Sequence, residues 1–258
     1  MIEEPYRWVE AIANRREYIE TQLAPGSPIA ALSYRDGILF VTIGRARRKL
    51  FEIYDRIAMG AIGHPGDIER LRMAAIELAS TEGFTRAAAD VSLRRLAFYS
   101  LSPVLKTAFE QVYGAPYLAR MIFAEVGATP DDDLFLRLEY DGAIAANGSA
   151  AEAKPRRASV ISGTARATEL MEELLRRDQD SDCTLPRAMQ VALDAWSVGS
   201  MPSAEDVSKE LPSREALLKQ REEKLAGATI EACALERRGA PAIRYRQIAG
   251  EELKKLIA

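Results

Sequence analysis

The chain has 258 residues, 48% hydrophobic and 28% charged, enough apolar content for a sizeable core and without the composition of a disordered chain. A formal net charge of −3 excludes a global basic field for collecting nucleic acid, and no run of about 18 apolar residues is present to span a bilayer. Cys183 and Cys233 are the only cysteines, too few for a disulfide framework and without metal-ligand spacing. The acidic start Met1 to Pro5 does not read as a signal peptide, so a cytoplasmic protein is expected.

In chain order, Trp8, Ile12, Ile19 and Leu23 recur at helical spacing and predict a helix over 6–23, stopped by Pro25-Gly26. Two β-prone runs, 29–34 and 38–43, flank Arg35-Asp36-Gly37, a hairpin signal. A second pair follows at 49–54 and 57–63, the latter apolar with small residues, as expected for a strand covered on both faces. After His64-Pro65-Gly66 a helical stripe of Ile68, Leu71, Ala75 and Leu78 is ended by Gly83. Asp90 is placed as the cap of a second long helix with Leu93, Ala97, Leu101, Leu105, Ala108 and Val112 on one side, kinked at Pro103.

Strands are expected again at 117–126, 134–140 and 143–146, then a polar loop at 147–157 and helices at 165–177 and 185–198. Residues 199–224 are charged and punctuated by Pro and Ser, a surface insertion that turns helical from Ser213. Strands at 228–236 and 243–248 and a helix at 251–257 complete the chain. Strands grouped in hairpins and helices grouped in pairs argue against an alternating parallel sheet and for an α+β sandwich of two antiparallel sheets. No repeat or change of composition divides it, so one domain over 1–258 is expected.

Specific stretches carry a resemblance. Ile29 to Val41 (IAALSYRDGILFV), Lys49 to Ile57 (KLFEIYDRI) and Gly60 to Gly63 (GAIG) resemble the opening strands of proteasome α subunits, closest to the actinobacterial type. The likeness continues through Asp90-Val91, Phe123 to Gly127 (FAEVG), Glu139 to Gly142 (EYDG), Ile161 to Thr164 (ISGT), Ala228 to Glu231 (ATIE) and Tyr245 to Ile248 (YRQI). Two departures stand out, a shorter loop after Val41 and a longer segment at 199–224. The resemblance implies a four-layer αββα sandwich of the N-terminal-nucleophile hydrolase type. It further implies a seven-membered ring of copies of the chain, stacking on catalytic β subunits, and no cofactor or metal.

In that family an active subunit uses a Thr freed at its own N-terminus, with an Asp and a Lys nearby. Here Ser27 stands roughly at the nucleophile position. Pro28 follows it, Ile43 or a neighbour occupies the Asp position, and 6–23 reads as a retained helix, so a non-catalytic subunit is expected. Two alternatives stay open: a self-processing N-terminal-nucleophile hydrolase using Ser27, and a proteasome-like ring without a β partner.

The resemblance also assigns roles. Lys49 and Gly63 match the pocket that receives the C-terminal carboxylate of a ring-shaped AAA ATPase activator, with Arg45, Arg47 and Arg48 as supporting charge or subunit contacts; the plain alternative is a solvated basic turn. Ile2, Glu3, Glu4, Pro5, Tyr6 and Arg7 match the gate over the ring axis, within an N-terminal unit spanning 1–24. Trp8, Ile12 and Ile19 pack either under their own sheet or against the neighbouring subunit. The remaining candidates have simpler readings. His64 is a helix-start residue, Asp131-Asp132-Asp133 a solvated turn, and Gly60, Gly63 and Gly66 lack the Lys-Ser/Thr of a phosphate loop.

Overall fold

The computed structural model describes residues 5–45, 47–111, 113–146, 157–201, 211–238 and 244–257. Helix α1 (Pro5–Leu23) leads into two hairpins, β1 (Ile29–Tyr34) with β2 (Gly37–Gly44) and β3 (Leu50–Tyr54) with β4 (Ile57–Gly63). Helix α2 (Pro65–Thr85), a short helix α3 (Leu93–Arg95), a π-helical turn over 96–101 and α4 (Ser102–Glu110) follow. Then come β5 (Ala119–Glu125), β6 (Leu134–Leu138), β7 (Ile144–Ala146), β8 (Ala158–Ile161), α5 (Ala165–Asp178), α6 (Leu185–Gly199), α7 (Arg214–Leu225), β9 (Thr229–Glu236), β10 (Tyr245–Ile248) and α8 (Gly250–Ile257).

The strands form two five-stranded sheets, ordered β10-β9-β2-β1-β8 and β3-β4-β5-β6-β7, antiparallel at every pairing. The period-2 alternation of side chains sorts the apolar residues of each strand into two faces. Ala30, Leu32, Leu39, Val41, Ala232 and Ala234 of the first sheet pack with Met171, Leu174, Met189, Ala192 and Trp196 of α5 and α6. Met59, Ala61, Met121, Phe123 and Leu136 of the second sheet pack with Leu71, Ala75 and Ala79 of α2 and with Leu93, Leu101 and Leu105. Ile29, Ala31, Ile38, Phe40 and Leu235 meet Ala58, Ile62, Ile122 and Phe135 in a third cluster shared by the two sheets.

Several expectations are corrected. β8 was not expected; its four residues are all buried, a run too short for periodicity to identify. Gly83 lies inside α2 rather than ending it. Its role is packing, since a Cβ there would sit 2.1 Å from the Tyr54 hydroxyl. Leu78 is 40% exposed, and Ala79 takes its place in the stripe. The second helix is capped by Ser92, whose hydroxyl accepts from the Arg95 amide at 3.4 Å, while Asp90 ends a 3-10 turn. Phe109 rather than Ala108 is the buried residue of its last turn, and Val112 lies outside the described residues. Pro103 cannot donate to the preceding turn, and the helix adapts with the π turn immediately before α4.

Helix α1 is seated by Ile19 and Leu23 against Phe109 and Tyr140, with Ile12 half-buried on the same cluster. Arg120, 5% exposed, sits below it. Its guanidinium donates to Glu139 at 2.5 Å, to Glu20 of α1 at 3.0 and 3.2 Å and to the Ser162 carbonyl at 2.8 Å, and the Tyr140 hydroxyl also donates to Glu20 at 2.8 Å. Ile19 is fully buried within its own chain and so is unavailable to a neighbour. Trp8 is 39% exposed, as are Val9 and Tyr18 to a greater degree. Pro5, Tyr6 and Arg7 open α1, whereas Ile2, Glu3 and Glu4 lie outside the described residues.

Candidate functional site

The loop joining the two hairpins, the end of β4 and the start of α2 border a groove of about 710 Å3. Lys49 and Gly63 both line it, with Ser27, Trp196 and Lys224. The Lys49 ammonium is aimed at the Ser27 carbonyl, 3.5 Å away. Burial pushes its pKa below the usual lysine value, and the nearby Glu231 carboxylate opposes that shift. Glu231 of β9 also fixes the backbone here, accepting from the amides of Lys49 (2.9 and 3.2 Å) and Leu50 (3.1 Å).

Ser27 is engaged on both sides of its hydroxyl. It donates to the Ile43 carbonyl at 2.5 Å and accepts from the Trp196 indole N–H at 3.1 Å. Ile43 itself is 2% exposed and apolar, so no carboxylate stands at that position to orient a lysine or an amine. The hydroxyl proton thus goes to a backbone carbonyl, which cannot serve as the base that activates a nucleophile. Gly63 has φ of +133°, a conformation that favours glycine, and a Cβ there would lie 2.0 Å from the Leu118 carbonyl oxygen. Its bareness is therefore required by the β4–β5 pairing itself.

The groove is strongly basic. Arg45, Arg47, Arg48, Lys49 and Lys224 line it against the single carboxylate of Glu69. Glu69 is taken by Arg72, at 2.9 and 2.6 Å, which holds its pKa below the ordinary range. Arg45, Arg47, Arg48 and Lys224 form no ion pair among the described residues. Such a groove suits an anionic ligand with an apolar part, which the half-buried Phe51 and Ile68 can meet.

The chain is 31% identical over 251 residues to a proteasome subunit alpha of Streptomyces avermitilis, covering 96% of this chain and 87% of that one. It is 30% identical over 257 residues to that of a Parafrankia species, and 31% over 258 residues to that of Frankia alni, covering 96% of this chain and 92% and 93% of theirs. The chain belongs to the proteasome α-subunit family. No family model matches it.

Of the residues singled out in the sequence of this α subunit, Lys49, Gly63 and Ser27 converge on one groove. His64 stands at the start of α2, its ring 4.0 Å from Asp67. The acidic trio is a solvated turn at Asp131 and Asp132, both exposed, but not at Asp133, whose side chain is buried. Asp133 is fully buried and bonded to Arg237 and Ser33, Asp132 caps the 3-10 turn at Thr129, and Asp131 pairs with Arg157. Among the described residues no group of three or more His, Cys, Asp or Glu could hold a metal, and no helix is long and apolar enough to cross a membrane. Cys233 is buried, which pushes its thiol up to about 12.

Sequence reasoning missed Trp196, Glu231 and Lys224. Two had a usable signal: an indole N–H on the buried face of α6 needs a partner, and Glu231 interrupts the buried face that continues through Cys233 and Leu235.

Proposed function

We propose that this chain is a non-catalytic α-ring subunit of a bacterial proteasome core particle, folded as a four-layer αββα sandwich of the N-terminal-nucleophile hydrolase type. Copies assemble into a seven-membered ring through α1, with Trp8 and the adjoining exposed residues as contacts, and the ring stacks on β subunits that carry the threonine-type active sites. The three apolar clusters, one between the sheets and one under each helix layer, support the sandwich. In this reading 1–258 is one domain, 199–224 an insertion whose α7 packs on α6 through the buried Leu217, and Ile2 to Arg7 the gate. The protein works in the cytoplasm, without cofactor, nucleic acid or membrane.

The groove receives the C-terminal tail of a ring-shaped AAA ATPase activator, Lys49 holding the terminal carboxylate and Gly63 letting the peptide backbone approach. The observation that carries this reading is the Lys49 ammonium held in a basic groove beside a serine whose hydroxyl donates to a backbone carbonyl and not to a base. One charge-assisted bond of this kind contributes about 1.5–3 kcal/mol, so several grooves per ring must act together. Lys49→Ala is expected to abolish ATPase-stimulated degradation while sparing ring assembly and hydrolysis of small peptides; unchanged stimulation retires the assignment. Deleting residues 2 to 7 should raise basal peptide entry. Intact-mass measurement should return the full chain, whereas loss of the first 26 residues would point to processing before Ser27. Failure to form a stacked barrel on co-expression with β subunits would point to a ring without that partner.

A further inference from the structure

The groove that holds Lys49 does not end at Ser27. A smaller hollow of about 260 Å3 adjoins it, and the two share Pro25, Gly26, Ser27, Trp196 and Lys224. Of the basic residues in the larger groove, Lys224 alone also lines the smaller one. Its helix is firmly mounted. Leu217 is buried against α6, Gln220 donates to the Ser200 carbonyl at 3.1 Å, and Arg221 pairs with Asp194. Trp196, 3% exposed and tied to Ser27, forms the fixed wall between the hollows.

The charges lining this trough do not balance against a single carboxylate. Lys49 accounts for one anionic group, yet Lys224 and three arginines remain, and Glu69 is already bound to Arg72. We propose that the ligand is a peptide C-terminus bearing an acidic side chain close to its terminal carboxylate. Lys224 is the specificity-determining residue that reads this side chain. This rests on the docking reading of Lys49 and adds a second anchor at the junction of the hollows. Lys224 is exposed, so its bond is weak and screened by salt, and it serves selection among peptides more than affinity.

The test uses fluorescein-labelled octapeptides on a Gly-Ser spacer, ending in Glu-Ala-Leu, in Gln-Ala-Leu, or in Glu-Ala-Leu amide. Each is titrated onto the full-length protein and followed by anisotropy. The Glu peptide should bind about two- to fivefold tighter than the Gln peptide at low salt, with the gap closing at high salt. Lys224→Ala should erase that gap, and Lys224→Glu should reverse it. Equal binding of Glu and Gln peptides, with the acid still preferred over the amide, overturns the second anchor and leaves the docking reading standing. Equal binding of acid and amide, or binding of no peptide, overturns both. A Glu preference that survives Lys224→Ala removes Lys224 from the role.

Discussion

Arg120 and Arg237 are enclosed by carboxylates and carbonyls, while Arg45, Arg47, Arg48, Lys49 and Lys224 line a groove whose one carboxylate is already occupied. In the first region each cation closes a joint of the fold: Arg120 ties α1 to β5, and Arg237 ties the end of β9 to the turn before β6 through a fully buried Asp133. Removing one partner there leaves an uncompensated buried charge. In the second region Lys49 reaches the Ser27 carbonyl, and the other four cations form no ion pair among the described residues, which leaves them available to a ligand. Charge count alone would not separate the two regions; the satisfaction of each charge does.

Substitutions can break this comparison from either side. Asp133→Ala should be the most damaging, costing about 3–5 kcal/mol in denaturant unfolding, because it strands Arg237 and frees Ser33 and the Gly127 amide. Gly63→Ala should cost about 1–3 kcal/mol through strain at its φ of +133° and the contact with Leu118, showing that the groove's bare residue also serves the fold. Lys49→Met should leave unfolding within about 1 kcal/mol of the parent and weaken a carboxylate-terminated peptide at least about tenfold, read by anisotropy. Comparable destabilisation by Lys49→Met and Asp133→Ala would erase the distinction.

A pH series sharpens the contrast. The folded-state pKa of Lys49 lies below its ordinary 10.5, so peptide binding should fall as pH rises through that lowered value, earlier than an ordinary lysine would titrate. In the same window the unfolded chain holds the extra proton, so the Lys49 contribution to stability rises with pH while binding declines. Lys49→Met should remove both trends. The smallest effect is expected at Ser27→Ala, about 1 kcal/mol from two lost hydrogen bonds, with parent and variant alike untruncated by intact mass.

Much of the fold was legible because its signals are local. Arg35-Asp36-Gly37 and Asp55-Arg56 announce their hairpins, and Ser213 announces the start of α7 with a hydroxyl that accepts from Ala216. What escaped depends on partners distant in sequence. Gly83 reads as a helix stop until Tyr54 is placed beside it, and Asp133 as a solvated turn until Arg237 arrives from the other end of the chain. β8 offers four buried residues with no alternation to reveal a strand. At the groove, Lys49 and Gly63 are singled out only by the resemblance to the family. Trp196, Glu231 and Lys224 reach it from elements far along the chain, so no local pattern links them to it.

Glu231 gives the groove a mechanical property. Its carboxylate, borne by β9 of one sheet, grips two consecutive amides where β3 of the other sheet begins. A load on the Lys49 main chain is therefore shared with β9 of the other sheet instead of resting on the end of β3 alone.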